Sequence, residues 1–316
     1  MIKYRKSFIV GLKGIFLAKK EIFFLKKYKP WGVILFSRNI KSIEQVQKLI
    51  FKIKSIFNDK NYPILIDQEG GRVSRVEKII ITTPFSGEYF GFVYKEKKKN
   101  ISQHINIYIN QISYLLREIG VNINTLPVLD IRRKNANLII GDRSFSNNPK
   151  IVKKIGSLFI EKLHKNKIAT VIKHIPGHGL AKSDSHISTP KVKNNLKYLI
   201  KNDFFPFKNQ KSLFAMTAHI IYESIDPILT ATHSKKMINI IRNKIMFKNI
   251  IISDDISMKA LKFSIEENTI KAFSAGCNIV LHCNGKMSEM IKVAKNSPKL
   301  DSFLMKKTSE FYKLIT

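Results

Sequence analysis

The sequence predicts a single (β/α)8 TIM barrel that spans residues 1–316. Apolar runs of strand length alternate with segments of helical period along the whole chain, which is typical of βα units and a parallel sheet. About eight such runs are present, the number of strands that closes this barrel. The chain length of 316 residues also suits one barrel, which usually takes about 250 residues before insertions.

The predicted strands are, in order, FIVGLKGIFL, GVILF, PILI, VNINTLPVLD, IATVIKH, LFAMTAH, NIIISDD and NIVLHCN. The first run is interpreted as a strand and not as a signal peptide, because Lys13 and Gly14 interrupt it and no small-residue cleavage site follows. Apolar stripes at helical spacing predict helices over residues 43–57 and 101–119. Residues 87–100 are rich in charge and are expected to form a loop.

The composition limits the possible classes of protein. Hydrophobic residues make up 44% of the chain, but no apolar stretch reaches the roughly 20 residues of a membrane-spanning helix. The two cysteines, Cys277 and Cys283, are expected to be reduced and buried, which favours a cytoplasmic location. The net charge of +33 is typical of a nucleic-acid-binding protein, but the lysines are spread along the chain. We interpret this charge as mutational bias toward Lys, Ile and Asn codons; a polyanion partner remains the alternative.

Polar side chains end several of the predicted strands. The carboxyl ends of the strands of a barrel share one rim, where active sites of this fold lie, so residues distant in sequence should converge there. The residues at these ends are Asp67, Asp130, Lys173 with His174, His219, Asp254 with Asp255, and His282 with Asn284.

The segment KHIPGHGLAKSDSH follows one of these strands and combines histidines with an acid. Its glycines and proline predict a loop, and the spacing of a helical metal site is absent, so a metal is not favoured. Histidine can give and take a proton near neutral pH. Asp184 lies two residues before His186, where its carboxylate can orient the imidazole. A solvent-exposed histidine without a role is the alternative.

Two further segments carry acids at strand ends. In NIIISDDISM, alternation along the strand points only one of Asp254 and Asp255 into the pocket, where a carboxylate can attack an electrophilic carbon. In LIDQEGGRVSRV, Asp67 can accept hydrogen bonds from sugar hydroxyls, and Arg72 and Arg75 can donate them. Glu69 is expected to be an acid at the start of a surface helix.

Taken together and in order, the motifs resemble those of family 3 glycoside hydrolases, and more narrowly the single-domain bacterial β-N-acetylhexosaminidases of the NagZ type. The motifs are VILFSRN, LIDQEGGRVSRV, NINTLPVLDI, GDRSFSNNP, KHIPGHG followed by SDSH, AMTAHIIY, IIISDDISMKA and AGCNIVLHCNG. The resemblance implies a (β/α)8 barrel, a retaining mechanism, no cofactor and a monomer. It also implies removal of terminal N-acetylglucosamine from peptidoglycan fragments such as GlcNAc-1,6-anhydro-MurNAc peptides, with no nucleic-acid partner and no membrane insertion.

The resemblance also assigns roles to residues. Asp254 corresponds to the nucleophile, His186 to the acid/base, and Asp184 to its partner. The residues that correspond to sugar-binding positions are Asp67, Arg75, Arg143, Lys173 and His174. Asp255, His178 and His219 are candidates for a supporting layer, and Asp130 is expected to support the strand rim.

The chain departs from the family pattern in two places that matter here. Leu180 and Ala181 replace the usual Asp-Thr after GHG, and Thr125-Leu126 replaces Phe-Ala before PVLD. Three other functions stay open: a relative that acts on another β-glycoside or transfers the sugar to phosphate, an inactive barrel, and a basic nucleic-acid-binding protein.

Overall fold

The computed structural model describes residues 2–134, 136–185 and 187–316. Eight parallel strands form a closed barrel in the order β1-β10-β9-β7-β5-β4-β3-β2, and a small parallel pair, β6 and β8, lies outside it. The strands are β1 (Lys6–Gly11), β2 (Pro30–Leu35), β3 (Ile64–Ile66), β4 (Ile123–Asn124), β5 (Ala169–Ile175), β6 (Lys191–Val192), β7 (Phe214–Thr217), β8 (Ile221–Tyr222), β9 (Ile250–Asp255) and β10 (Ile279–His282). This confirms the predicted TIM barrel, and each of the eight predicted apolar runs overlaps one barrel strand.

Helices surround the barrel between successive strands. They are α1 (Lys19–Tyr28), α2 (Ile43–Phe57), α3 (Gly87–Glu96), α4 (Ile101–Glu118), α5 (Pro149–Lys165), α6 (Leu196–Lys201), α7 (Lys235–Asn243), α8 (Ile265–Ala275), α9 (Met287–Asn296) and α10 (Ser302–Ile315). The stripes predicted over residues 43–57 and 101–119 form α2 and α4 and bury their apolar faces. The prediction of a loop over residues 87–100 is wrong for its first ten residues, which form α3.

Helix α3 forms because local signals outweigh its two glycines. The Ser86 hydroxyl accepts a hydrogen bond from the Tyr89 N–H and caps the first turn, while Phe90 and Val93 are buried against the core. Gly91 is needed at this contact, since a β-carbon there would lie 1.7 Å from the Phe145 carbonyl oxygen. Gly91 suggests a loop in the sequence, but the structure explains it by the close packing of this helix.

The core has two layers because side chains alternate along each strand. In β1, Phe8 and Val10 pack outward against helices, whereas Ile9 points into the barrel interior. Helix α10 covers the amino-terminal end of the barrel, where the Trp31 indole N–H donates to the Thr308 hydroxyl at 2.9 Å. The opposite, carboxyl-terminal end is left for the loops that carry polar residues.

Both cysteines are free thiols, as predicted; Cys277 is buried and Cys283 is partly buried. In the part of the chain that the structure describes, no helix is both long and apolar enough to cross a bilayer. The assignment of residues 1–316 to one catalytic domain stays a prediction.

Candidate active site

A cleft opens at the carboxyl ends of the barrel strands. It contains the predicted nucleophile and all five predicted sugar-binding residues: Asp254, Asp67, Arg75, Arg143, Lys173 and His174. Glu69, Arg72, His178, Ser185, Met216 and Cys283 also line it. The structure therefore brings together residues that span almost 190 positions of the sequence.

A network of ion pairs forms one side of the cleft. The Lys173 ammonium lies 3.0 Å from Asp67 Oδ1 and 2.6 Å from Glu69 Oε1. Arg143 binds Glu69 through two hydrogen bonds, from Nε to Oε2 at 2.8 Å and from Nη2 to Oε1 at 2.9 Å. Such paired, charge-assisted hydrogen bonds fix the geometry of both partners.

These cations hold both carboxylates in the ionised form. Burial alone would raise the pKa of Asp67, but the charges of Lys173 and Arg75 outweigh it and lower the pKa well below its usual range. Burial is likewise outweighed at Glu69 by Arg143 and Lys173, which lower its pKa to about 2. Neither group can donate a proton near neutral pH, so both are suited to accepting hydrogen bonds or orienting the cations.

Glu69 corrects one expectation from the sequence. It was predicted to be a surface acid at a helix start, but it is buried and no helix begins there. The backbone of Glu69–Gly71 turns back on itself, with the Glu69 and Gly70 N–H groups donating to the Val73 carbonyl at 2.9 and 3.2 Å. The sequence near Glu69 does not indicate that Lys173 of β5 and Arg143 form ion pairs with this side chain.

Thr125, which departs from the family pattern, belongs to the same network. Its hydroxyl donates to Asp67 Oδ1 and accepts from the Lys173 ammonium at 2.8 Å. The buried hydroxyl thus bridges the two charges. The replacement of a larger apolar residue by threonine adds a polar contact at this point.

Asp130 positions the histidines of the loop after β5. Its Oδ2 lies 2.7 Å from His174 Nδ1, and its Oδ1 accepts from the His178 backbone N–H at 2.6 Å. Because a carboxylate only accepts, His174 Nδ1 carries a proton. The expectation that Asp130 supports the strand rim is therefore refined: it orients a cleft-lining imidazole and anchors the loop.

Asp254 and Asp255 face different surroundings, as alternation along β9 predicts. Asp254 lines the cleft, and its Oδ1 accepts from the Asp255 backbone N–H at 2.8 Å. Burial raises the pKa of Asp254, but His219, His174 and this N–H outweigh burial and hold the pKa below its ordinary value. Asp255 instead accepts from Ser257 N and Oγ, at 3.0 and 2.8 Å, and from Cys283 N at 3.2 Å.

His219 supports Asp255 from behind the cleft. Its Nε2 lies 3.0 Å from the Asp255 carbonyl oxygen, and its Nδ1 lies 2.7 Å from the Thr232 hydroxyl. Since a carbonyl only accepts, Nε2 is the protonated nitrogen, and Nδ1 accepts from Thr232. Burial lowers the pKa of His219, which keeps this tautomer neutral. His282, at the end of β10, points elsewhere and binds Glu289 at 3.0 Å.

The predicted acid/base residue, His186, lies outside the described residues. Its neighbour Ser185 lines the cleft, and the Asp184 carbonyl accepts from Ile187 N and Ser188 N at 3.0 Å each. The loop is tied to the strand-end loop after β9 by a hydrogen bond from Ala260 N to the Ser185 carbonyl at 3.1 Å. Gly179 allows the loop to cross Ile131, since a β-carbon there would lie 2.1 Å from the Ile131 carbonyl oxygen.

Comparison with known proteins places this cleft in a family. The model of the glycosyl hydrolase family 3 N-terminal domain matches residues 15–308. The chain belongs to glycosyl hydrolase family 3. Family 3 membership and the relatives below make it a glycoside hydrolase.

The similar proteins in this family include bacterial β-hexosaminidases. The chain is 33% identical to the β-hexosaminidase of Idiomarina loihiensis over 81% of its own length and 77% of that protein. It is 30% identical to the β-hexosaminidase of Haemophilus influenzae, over 92% and 85%. The structure of NagZ from Neisseria gonorrhoeae in complex with N-trifluoroacetyl-D-glucosamine superposes with a TM-score of 0.87 and 28% identity, over 97% of this chain and 90% of that one.

Buried histidines should make the stability of this glycoside hydrolase sensitive to acid. Burial lowers the pKa of His164, His178 and His233 to about 4 each, so they stay neutral in the folded chain while the unfolded chain protonates them below about pH 6.5. Burial raises the pKa of Asp203 to about 6, so near pH 5 the folded chain binds a proton at Asp203 that the unfolded chain releases. This proton offsets one of the three that the histidines bind in the unfolded chain. The unfolded chain then binds about two more protons near pH 5, so the free energy of unfolding should fall by roughly 3 kcal/mol per pH unit.

Urea unfolding between pH 7.5 and 4.5 measures this slope. His164 lies on α5 away from the cleft, with its Nε2 3.0 Å from the Thr170 hydroxyl. His164→Gln should therefore reduce the slope by the contribution of about one proton and leave the active site unchanged. A free energy of unfolding that stays constant from pH 7 to pH 5 would contradict the assignment of neutral buried histidines.

Proposed function

We propose that the protein is a retaining β-N-acetylhexosaminidase that removes a terminal, β-linked N-acetylglucosamine with Asp254 as nucleophile. The observation that carries this proposal is the contrast among the three cleft carboxylates. Asp67 and Glu69 are paired with cations, whereas Asp254 makes no ion pair with any of the residues that the structure describes, and neighbouring imidazoles and a backbone N–H lower its pKa. An ionised carboxylate at a cleft wall is suited to attack on an anomeric carbon.

The binding side of the cleft supports recognition of a sugar. Asp67 offers acceptor oxygens for sugar hydroxyls, and Arg75, Arg143 and Lys173 offer donors whose positions the ion pairs fix. His174, oriented through Nδ1 by Asp130, presents Nε2 to the cleft. Polar groups held in one geometry before the ligand arrives lose little entropy on binding.

The proton must come from a group other than the cleft carboxylates. Asp67 and Glu69 remain ionised, and His178 is neutral near pH 7 because burial lowers its pKa to about 4. We therefore assign the acid/base role to His186, with Asp184 orienting it. The residue before His186, Ser185, lines the cleft. In the first step Asp254 attacks the anomeric carbon while His186 protonates the leaving oxygen; in the second, His186 deprotonates the water that releases the sugar.

The similar proteins support the substrate class. Two are named β-hexosaminidases, and the Neisseria gonorrhoeae structure contains an N-acylated glucosamine. We further propose peptidoglycan fragments such as GlcNAc-1,6-anhydro-MurNAc peptides as the natural substrates, in a monomeric cytoplasmic enzyme that serves cell-wall recycling and, through it, cell shape and division.

Turnover of chromogenic β-N-acetylglucosaminides tests the proposal, with and without phosphate. Wild type should release N-acetylglucosamine at a rate that phosphate does not change. Release of sugar 1-phosphate would instead establish a phosphorylase, and selective turnover of another β-glycoside would overturn the substrate class.

The leaving group tests the role of His186. His186→Ala should slow hydrolysis of a substrate with a poor leaving group by about 10² or more, but slow an activated aryl glycoside far less, because only the poor leaving group needs protonation. His104→Ala is the control variant, because His104 lies on α4 and does not line the cleft. It should slow neither substrate appreciably. Equal loss on both substrates would argue against His186 as the general acid.

A further inference from the structure

The outer faces of α1 and α2 expose phenylalanine side chains that the barrel does not use. Phe23 on α1 is 65% exposed and Phe51 on α2 is 73% exposed, and Phe16, just before α1, is similarly exposed. The core-facing residues of the same helices, such as Phe24 and Ile50, are buried. The two helices are neighbours on the barrel wall, and the surface formed by their outward residues is here called the α1–α2 face.

Lysines flank these phenylalanines on both helices, and Glu44, at the start of α2, is an exposed acid among them. The outward positions of α1 are Lys19, Lys20, Lys26 and Lys27, and those of α2 include Lys48 and Lys52. Glu21, the acid of α1, is buried and accepts from the Lys13 and Ala18 backbone N–H groups at 3.0 and 2.9 Å. The α1–α2 face therefore combines exposed aromatic rings with a dense positive charge.

A second observation lies at one end of this face. A cleft opens there, lined by Tyr4, Arg5, Lys26, Lys29, Ile56 and Phe57. Arg5 is already neutralised, since it is paired with Asp59, which also accepts from the Tyr312 hydroxyl. Within the described residues, Lys26 and Lys29 make no ion pair, although the Lys29 ammonium lies 5.7 Å from the centre of the Tyr4 ring, so two ammonium groups without a carboxylate partner line this cleft.

Two other helices each carry only one of these two features. Helix α4 exposes Ile107 and Tyr114, at 60% and 62%, but contains no lysine. Helix α5 carries lysines such as Lys150 and Lys154, but none of its large apolar side chains is exposed. These two helices therefore separate the aromatic and the cationic contributions and provide matched controls.

We propose that the α1–α2 face binds the surface of an anionic phospholipid bilayer. Phe16, Phe23 and Phe51 lie at the depth of the headgroups, the lysines contact lipid phosphates, and the cleft beside Lys26 and Lys29 receives a headgroup. A convex face with aromatic rings among lysines suits a flat, amphiphilic partner, whereas single-stranded nucleic acid is bound in grooves that follow its backbone. The helices lie along the barrel wall, so the catalytic cleft at the strand ends stays open.

Vesicle sedimentation at about 0.1 M salt tests the proposal without any reference to hydrolase activity. The intact protein should bind vesicles that contain roughly one third phosphatidylglycerol and should bind phosphatidylcholine vesicles at least tenfold more weakly. Exchange of the four α1 lysines for glutamine should abolish this preference, whereas the same exchange at four α5 lysines (Lys150, Lys154, Lys162 and Lys165) should leave most of it. Equal loss in both variants would show that only net charge matters and would overturn the proposal.

The aromatic contribution is tested separately. Phe23→Ser combined with Phe51→Ser should weaken vesicle binding at least tenfold, whereas Ile107→Ser combined with Tyr114→Ser should not. The only tryptophan, Trp31, is buried, so Phe23→Trp adds a reporter whose fluorescence brominated anionic lipid should quench, and Tyr114→Trp should not be quenched. Unquenched Phe23→Trp, or tight binding of an oligothymidine without any binding of anionic vesicles, would overturn the proposal.

Discussion

Replacement of Asp254 by asparagine is expected to lower kcat/KM for a chromogenic β-N-acetylglucosaminide by about 10³-fold or more. The amide cannot form the covalent bond to the anomeric carbon, although it keeps the size of the side chain and the hydrogen bond from Asp255 N. Steady-state kinetics of purified wild type and variant measure the effect. Thermal unfolding of both proteins should show that the variant is folded.

Asp255→Asn is the matched control for this prediction. Asp255 is adjacent in β9, but its carboxylate accepts from Ser257 and Cys283 and does not line the cleft. Asp255→Asn should therefore reduce activity much less than Asp254→Asn. If Asp255→Asn removed activity as completely while Asp254→Asn retained it, the assignment of the nucleophile would be wrong.

Replacement of Lys173 by methionine is expected to have the second largest effect, on stability as well as activity. Lys173 is the cation shared by Asp67 and Glu69, and its removal leaves two buried carboxylates with fewer partners. Breaking a buried ion pair by removing one partner costs about 3 kcal/mol or more. Sugar binding should weaken as well, because the Asp67 oxygens and the Thr125 hydroxyl lose the group that orients them.

Urea unfolding and KM measurements on Lys173→Met test both effects. Lys182→Met, at an exposed position of the loop after β5, is the control and should change neither quantity appreciably. The raised KM should appear in Lys173→Met even at temperatures where the variant is fully folded. Unchanged stability together with unchanged KM would contradict the proposed role of the Asp67–Lys173–Glu69 network.

The barrel was predictable because its signals are local and repeated. Several apolar runs end in a polar residue, and the carboxyl ends of parallel strands must share one rim, so the convergence of Asp67, Lys173 and Asp254 followed from the order of the elements. The separation of Asp254 from Asp255 followed in the same way from alternation along β9.

Contacts between distant loops were not predictable from the sequence. Glu69 was misassigned because its partners, Arg143 and Lys173, are 74 and 104 positions away, and nothing near Glu69 indicates that they meet. Thr125 was noticed only as a departure from the family pattern, although a hydroxyl just beyond a strand end was itself a signal. Helix α3 was missed because its cap at Ser86 and its buried contacts outweigh the glycines and charges of the segment.

The most direct test of the account is to trap the covalent intermediate with a fluorinated N-acetylglucosaminyl donor that slows its breakdown, and to locate the label by peptide mass spectrometry. We expect one added sugar, on the peptide that contains Asp254, and no label in Asp254→Asn. A label on Asp67, Glu69 or Asp255, or rapid turnover with inversion at the anomeric carbon and no adduct, would contradict it.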